Sequence, residues 1–172
     1  MDSDIQNMSF NEFFKSDSSV NDNNTQEEKK EEESLEQRFE REREEWTEKI
    51  QTLSSKLKKV FDIQELMIDI YTERQRALDY HTYLLGLLTK ANKKYRSQYT
   101  KKYDYYSYTS QKRFPNERNK ELQIYSELAD IIEIKEMIDN HAKFIDKTVS
   151  TIDNIIYGMK YRIEIEQISR GK

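Results

Sequence analysis

The sequence predicts a mainly α protein: long helices that turn back on themselves in a helical hairpin-like protomer. Three observations carry this. Three glycines and one proline in 172 residues leave little turn material, so few and long elements are expected. Apolar residues recur at steps of three and four over most of the chain after residue 30. Charged residues (36%) match hydrophobic ones (35%) at a mean hydropathy of −1.05, a balance that suits exposed helices better than one compact core.

The elements follow in order. Residues 1–30 are rich in Ser, Asn, Asp and Glu and predict a disordered acidic arm. One apolar knot interrupts it, Phe10, Phe13 and Phe14 at helical spacing, the form of a short segment that folds onto a partner. Residues 31–60 predict a charged, heptad-like helix. Its seam is Leu35, Phe39, Trp46, Ile50, Leu53, Leu57 and Val60, with one apolar position missing near residues 42–43.

Residues 61–172 form the remaining region. Asp62 and Glu65 have a capping-box spacing behind Phe61, so a second helix is expected to start near Asp62 and to reach residue 107. Its stripe is Ile63, Leu66, Met67, Ile70, Ala77, Leu84, Leu85 and Leu88, continued by Tyr95, Tyr99, Tyr103 and Tyr106. Residues 107–116 read as a loop holding the only proline, Pro115, with Asn116 as the next helix cap. Leu122, Tyr125, Leu128, Ile132 and Ile138 then share a face, and Asp139 to His141 mark a possible break. A last segment carries Phe144, Ile145, Val149, Ile152, Ile155, Ile156, Met159 and Ile163. Its end, "YRIEIEQI", alternates with period two and admits a short strand, although its neighbours favour helix. Helices this long cannot cover their own apolar stripes, so a homo-oligomer is expected.

Catalytic signatures are missing. There is no cysteine and no glycine-rich phosphate loop. His81 and His141 lack ligand spacing, so no metal site is expected, and no nucleophile–base pattern is present. The expectation is a binding protein, not an enzyme, without cofactor. No apolar run is long enough to span a membrane.

Charge and aromatics point to a polyanion. Residues 1–50 hold 16 acids and 7 bases, and the rest holds 17 acids and 22 bases. Within residues 90–114 eight bases face a single acid, Asp104, and the segment contains half of the twelve tyrosines. Helical phase divides this stretch. Tyr95, Tyr99, Tyr103 and Tyr106 fall on one side and suit a helix or subunit interface. Lys90, Lys93, Lys94 and Lys101 gather on the opposite side, with Lys102 flanking the tyrosines and Lys112 and Arg113 in the loop. These seven are the candidate phosphate contacts. Tyr105 and Tyr108, off the stripe, are the candidates for stacking on bases, which favours single strands.

At "TKKYDYYS", residues 100–107, the sequence resembles the UvsY recombination mediators of large tailed phages, whose element reads K-x-R-L-D-Y-Y-S. The similarity extends to "ALDYHTYL" upstream. It continues in Glu121, Leu122, Leu128 and Asp130, and in the ending "IDNIIYGMKYRIEIEQISRGK", covering roughly residues 60–172. Departures are Thr100 at the family's first basic position, with Lys102 kept at the second, and Met159 where the family tends to arginine. The resemblance implies a homo-oligomeric ring, a hexamer or heptamer, acting in the cytoplasm of an infected bacterial host. Such a protein binds single-stranded DNA and helps load a RecA-like recombinase onto DNA covered by single-stranded DNA-binding protein, with no catalysis of its own. The alternative is a structural coiled-coil or scaffold oligomer that binds no nucleic acid.

Overall fold

Ser34 starts the first helix. Its hydroxyl accepts from the Gln37 N–H (3.2 Å) and the Gln37 side-chain oxygen accepts from the Ser34 N–H (3.1 Å), a reciprocal capping box that satisfies two otherwise orphan donors. Helix α1 therefore begins four residues later than the composition change at Glu31 suggests. The structure is a computed structural model that describes residues 33–57 and 63–170. Helices α1 (Leu35–Leu57), α2 (Ile63–Asp104), α3 (Glu117–Glu127) and α4 (Ala129–Arg170) are joined by a π-helical turn, Tyr105–Thr109, and a short loop. Helix accounts for 92% of the described residues, and none of them is in a strand. The alternating "YRIEIEQI" is helical, continuous with α4. The Phe10–Phe14 knot, Phe61 and the Asp62 cap lie outside the described residues.

By internal contacts the described residues divide into two units. One holds residues 33–39 and 87–138, the other 40–57, 63–86 and 139–170.

The second unit is built on a strict heptad. Trp46 and Leu53 on α1, Leu66, Ile70, Ala77 and Leu84 on α2, and Ala142, Ile145, Val149, Ile152, Ile156 and Met159 on α4 are all buried. Each such aliphatic side chain contributes about 1.5–3 kcal/mol of burial. The ion pairs Lys56–Asp69 (3.0 Å) and Lys49–Glu73 (3.4 Å) run α1 against α2 in antiparallel order. Arg74 grips Asp153 with two donors, at 2.6 and 3.3 Å, a fork geometry that fixes α2 against α4. Arg162 donates to the Leu57 carbonyl (2.5 Å), which ties α4 to the last residue of α1.

The seam position missing from α1 is Glu42, and it is filled by polarity. Both His141 Nε2 (3.0 Å) and the Tyr80 hydroxyl donate to Glu42 Oε2. His141 is fully buried and packs edge-on against Tyr80 and stacked on Phe144. One heptad further, at 49, 73 and 148, the seam is polar again: Lys49 pairs with Glu73, and Thr148 is buried. Apolar layers 46/77/145 and 53/70/152 alternate with these polar ones.

In the first unit Leu35, Phe39, Leu87, Ala91, Ile124, Leu128 and Ile138 are buried. Two expectations are corrected here. The break falls at Leu128, whose backbone (φ −107°, ψ 11°) leaves the α region, while Asp139 to His141 are continuous helix. On α3 the inward residues are Ile124 and Lys120, leaving Leu122 and Tyr125 exposed. Asn116 caps α3 as expected, accepting from the Asn119 N–H at 2.9 Å. Asn116→Ala should lower the unfolding free energy by about 1 kcal/mol, read as a downward shift in the urea midpoint by circular dichroism.

Candidate nucleic-acid interface

Helix α2 carries the lysines and then widens. Its last residues pass into the π-helical turn, closed by the Ser110 N–H donating to the Tyr105 carbonyl at 2.8 Å. Such turns re-aim side chains relative to the α-helical phase. They place Tyr105 and Tyr108 outside the tyrosine stripe, 50% and 85% exposed.

The stripe faces inward within the first unit. The Tyr99 ring lies 6.1 Å from Tyr125 and close to Tyr95 and Tyr103. Lys135 Nζ sits 4.8 Å over the Tyr95 ring, and Lys120 Nζ 4.0 Å over Tyr103. Tyr106 packs edge-on against Phe114 at 5.3 Å. Half-buried and covered by cations or rings of the same chain, these four tyrosines lose the open faces that base stacking needs.

Glu127 ties the turn to α3. Its carboxylate accepts from Lys102 Nζ, from the Tyr106 hydroxyl and from Gln123 Nε2 (2.9 Å). Burial alone pushes this carboxyl up, but the three donors and the Lys102 charge outweigh it and hold the pKa down at about 2. The bond to Glu127, aided by burial, pushes the Tyr106 hydroxyl up to about 12. Lys120, mostly buried, pairs with Glu117 (3.0 Å) and donates to Ser107 Oγ (3.0 Å).

The candidate phosphate contacts therefore divide. Lys102 is committed to Glu127. Lys112 donates to Gln123 (2.8 Å) and lies 5.3 Å from the Phe114 ring centre. Lys94 is half-buried and engaged within the chain. Lys90, Lys93, Lys101 and Arg113 are exposed and form no ion pair among the described residues. The three lysines lie within about 80° of one another on α2 and span about 16 Å of its length. The sequence reading did not single out Glu127 or Lys120. Lys102 carried a signal, because its phase lies only about 20° from Tyr95, at the edge of the stripe.

The chemistry available is charge neutralisation along one helix face beside an exposed aromatic turn. Among the described residues no group of three or more His, Asp or Glu is gathered as for a metal ion, and no helix is long and apolar enough to cross a membrane. Comparison with protein-family models, with curated proteins and with solved structures finds no match.

Proposed function

We propose that this chain is a mediator of phage homologous recombination and repair. It binds single-stranded DNA and helps load a RecA-like recombinase onto DNA covered by single-stranded DNA-binding protein, in the cytoplasm of an infected bacterium and without catalysis. The observation that carries the binding step is the row of exposed, unpaired lysines at 90, 93 and 101. Phosphates neutralise such a row without sequence preference, and Tyr108 offers an open ring for a base. The recombination role rests on the likeness at residues 100–107 and along the carboxyl end.

The protomer works as a homo-oligomeric ring of six or seven copies, which repeats a modest patch and raises apparent affinity. Tyr157, Tyr161, Ile165 and Ile168 support self-association. They are 48–68% exposed and fall within about 80° on α4, an apolar stripe that a second copy would cover.

Titration of labelled oligo-dT tests the reading. Binding is expected to weaken steeply with salt. Replacing Lys90, Lys93 and Lys101 together by serine is expected to reduce the salt slope by about 2 per protomer, from three lost phosphate contacts at about 0.7 each. A triple variant with unchanged affinity and slope would leave the scaffold reading in its place. The intact mass of the assembly reads the copy number.

A further inference from the structure

Helix α3 turns an amphipathic face outward. Arg118, Leu122 and Tyr125 are exposed at spacings of four and three, so they share one side within about 60°. Leu122 is 57% and Tyr125 47% exposed, large values for apolar groups side by side. Tyr125 touches Tyr99, and the exposed Arg96 lies on the Tyr99 flank of α2. The patch is apolar at its centre, with Arg118 and Arg96 at its edges and the carboxylates of Glu117 and Glu121 on the Tyr99 side. Its complement is an acidic segment with apolar anchors.

The chain carries such a segment. Phe10, Phe13 and Phe14 stand at helical spacing, with Glu12 between them and Asp17 beyond. Residues 1–32 hold nine acids and three bases, opposite in sign to the eight bases and one acid of residues 90–114. Position fits as well. The described chain begins at Glu33, and Leu35 and Phe39 are buried in the same unit as α3. The eighteen residues 15–32 between knot and helix give a coil-like reach of roughly 20–25 Å. A tether of that length holds the segment at an effective concentration of order millimolar.

We propose that residues 10–17 dock in cis on the Arg118–Leu122–Tyr125 face. Phe13 and Phe14 rest on Leu122 and Tyr125, and Glu12 and Asp17 face Arg118 and Arg96. Docking holds the acidic arm on the unit that carries the α2 lysines and makes the arm a competitor of the polyanion. The docking stands on charge and exposed surface alone, whereas its regulatory meaning rests on the nucleic-acid reading above.

The test uses the full chain with Phe13 replaced by the photo-crosslinker p-benzoylphenylalanine. Light- and heavy-isotope copies are mixed, and adducts are mapped by mass spectrometry. Adducts between position 13 and residues 95–103 or 118–125 of the same chain are expected. Their yield should fall at least fivefold in the Arg118→Glu/Leu122→Ser variant, and severalfold between about 0.05 and 0.5 M salt. Adducts confined to other segments, or formed only between light and heavy copies, would overturn the docking. So would a yield unmoved by the double substitution. Adding oligo-dT separates the two readings. Loss of the adduct as oligo-dT binds supports both. An intact adduct with no oligo-dT binding keeps the docking and sinks the nucleic-acid reading. Oligo-dT binding without the adduct sinks the docking alone.

Discussion

Replacing Glu42 by alanine should lower the unfolding free energy by about 2–5 kcal/mol. The carboxylate accepts from two donors, His141 Nε2 and the Tyr80 hydroxyl, and His141 is fully buried. Removing it deprives both donors of that bond at a depth where each unmade bond costs about 1–3 kcal/mol. Glu42→Gln keeps an acceptor in place and should lose far less. Urea unfolding followed at 222 nm reads both variants, and an alanine loss below about 0.5 kcal/mol would sink the argument. The triple replacement Glu42→Leu/Tyr80→Phe/His141→Leu should recover most of the stability, because apolar groups of similar volume remove the polar demand instead of orphaning it.

The triple variant also asks why polarity is kept in the seam. Apolar layers tolerate slippage by one heptad, because each presents similar surfaces to the next. A layer that must match Glu42 with His141 and Tyr80 accepts one register, as a buried polar position does in coiled coils. The Lys49–Glu73 pair one heptad away adds a second constraint of different chemistry. Recovered stability together with multiple species in solution is therefore the expected behaviour of the triple variant, read by analytical ultracentrifugation.

How far the sequence foretold this can be followed residue by residue. The 3–4 periodicity of Trp46, Leu53, Ile70, Ile145 and Ile152 marks the buried seams, because it repeats over many turns and each turn adds to the signal. The gap near residue 42 was visible, but its meaning was not. Its partners lie 38 and 99 positions away, and no local pattern links them. Helix α3 is eleven residues long and offers two competing apolar phases, so Lys120 and Ile124 could take the inward side from Leu122. Lys120 can lie inward because its stem packs while its ammonium meets Tyr103, Ser107 and Glu117. The break at Leu128 escaped because it carries neither glycine nor proline. In the candidate site, the separation of tyrosine stripe from lysine face was legible from phase. The capture of Lys102 by Glu127 needed the fold.

Glu127 should resist acid longer than an ordinary carboxyl, and its late protonation should cost stability. Its pKa is held at about 2, against an ordinary value of 4.5. A carboxyl whose folded pKa is depressed contributes stability that is fully present above its unfolded value and is lost as pH falls toward the folded one. The window is therefore pH 5 down to about 2, and the displacement corresponds to about 3 kcal/mol. Other carboxylates titrate in the same range, so the useful quantity is the difference between the native chain and Glu127→Gln. Glutamine still accepts from Tyr106 and Lys102 but has no charge to lose. At pH 7 the variant should be less stable by about 3 kcal/mol, and by pH 2.5 most of that difference should have closed. A stability gap equal at the two pH values would mean that geometry, not charge, holds the turn to α3. The same variant frees Lys102 from its ion pair. If the exposed lysine face binds phosphates, Glu127→Gln should therefore strengthen oligo-dT binding modestly at neutral pH, even as it weakens the fold around Tyr106.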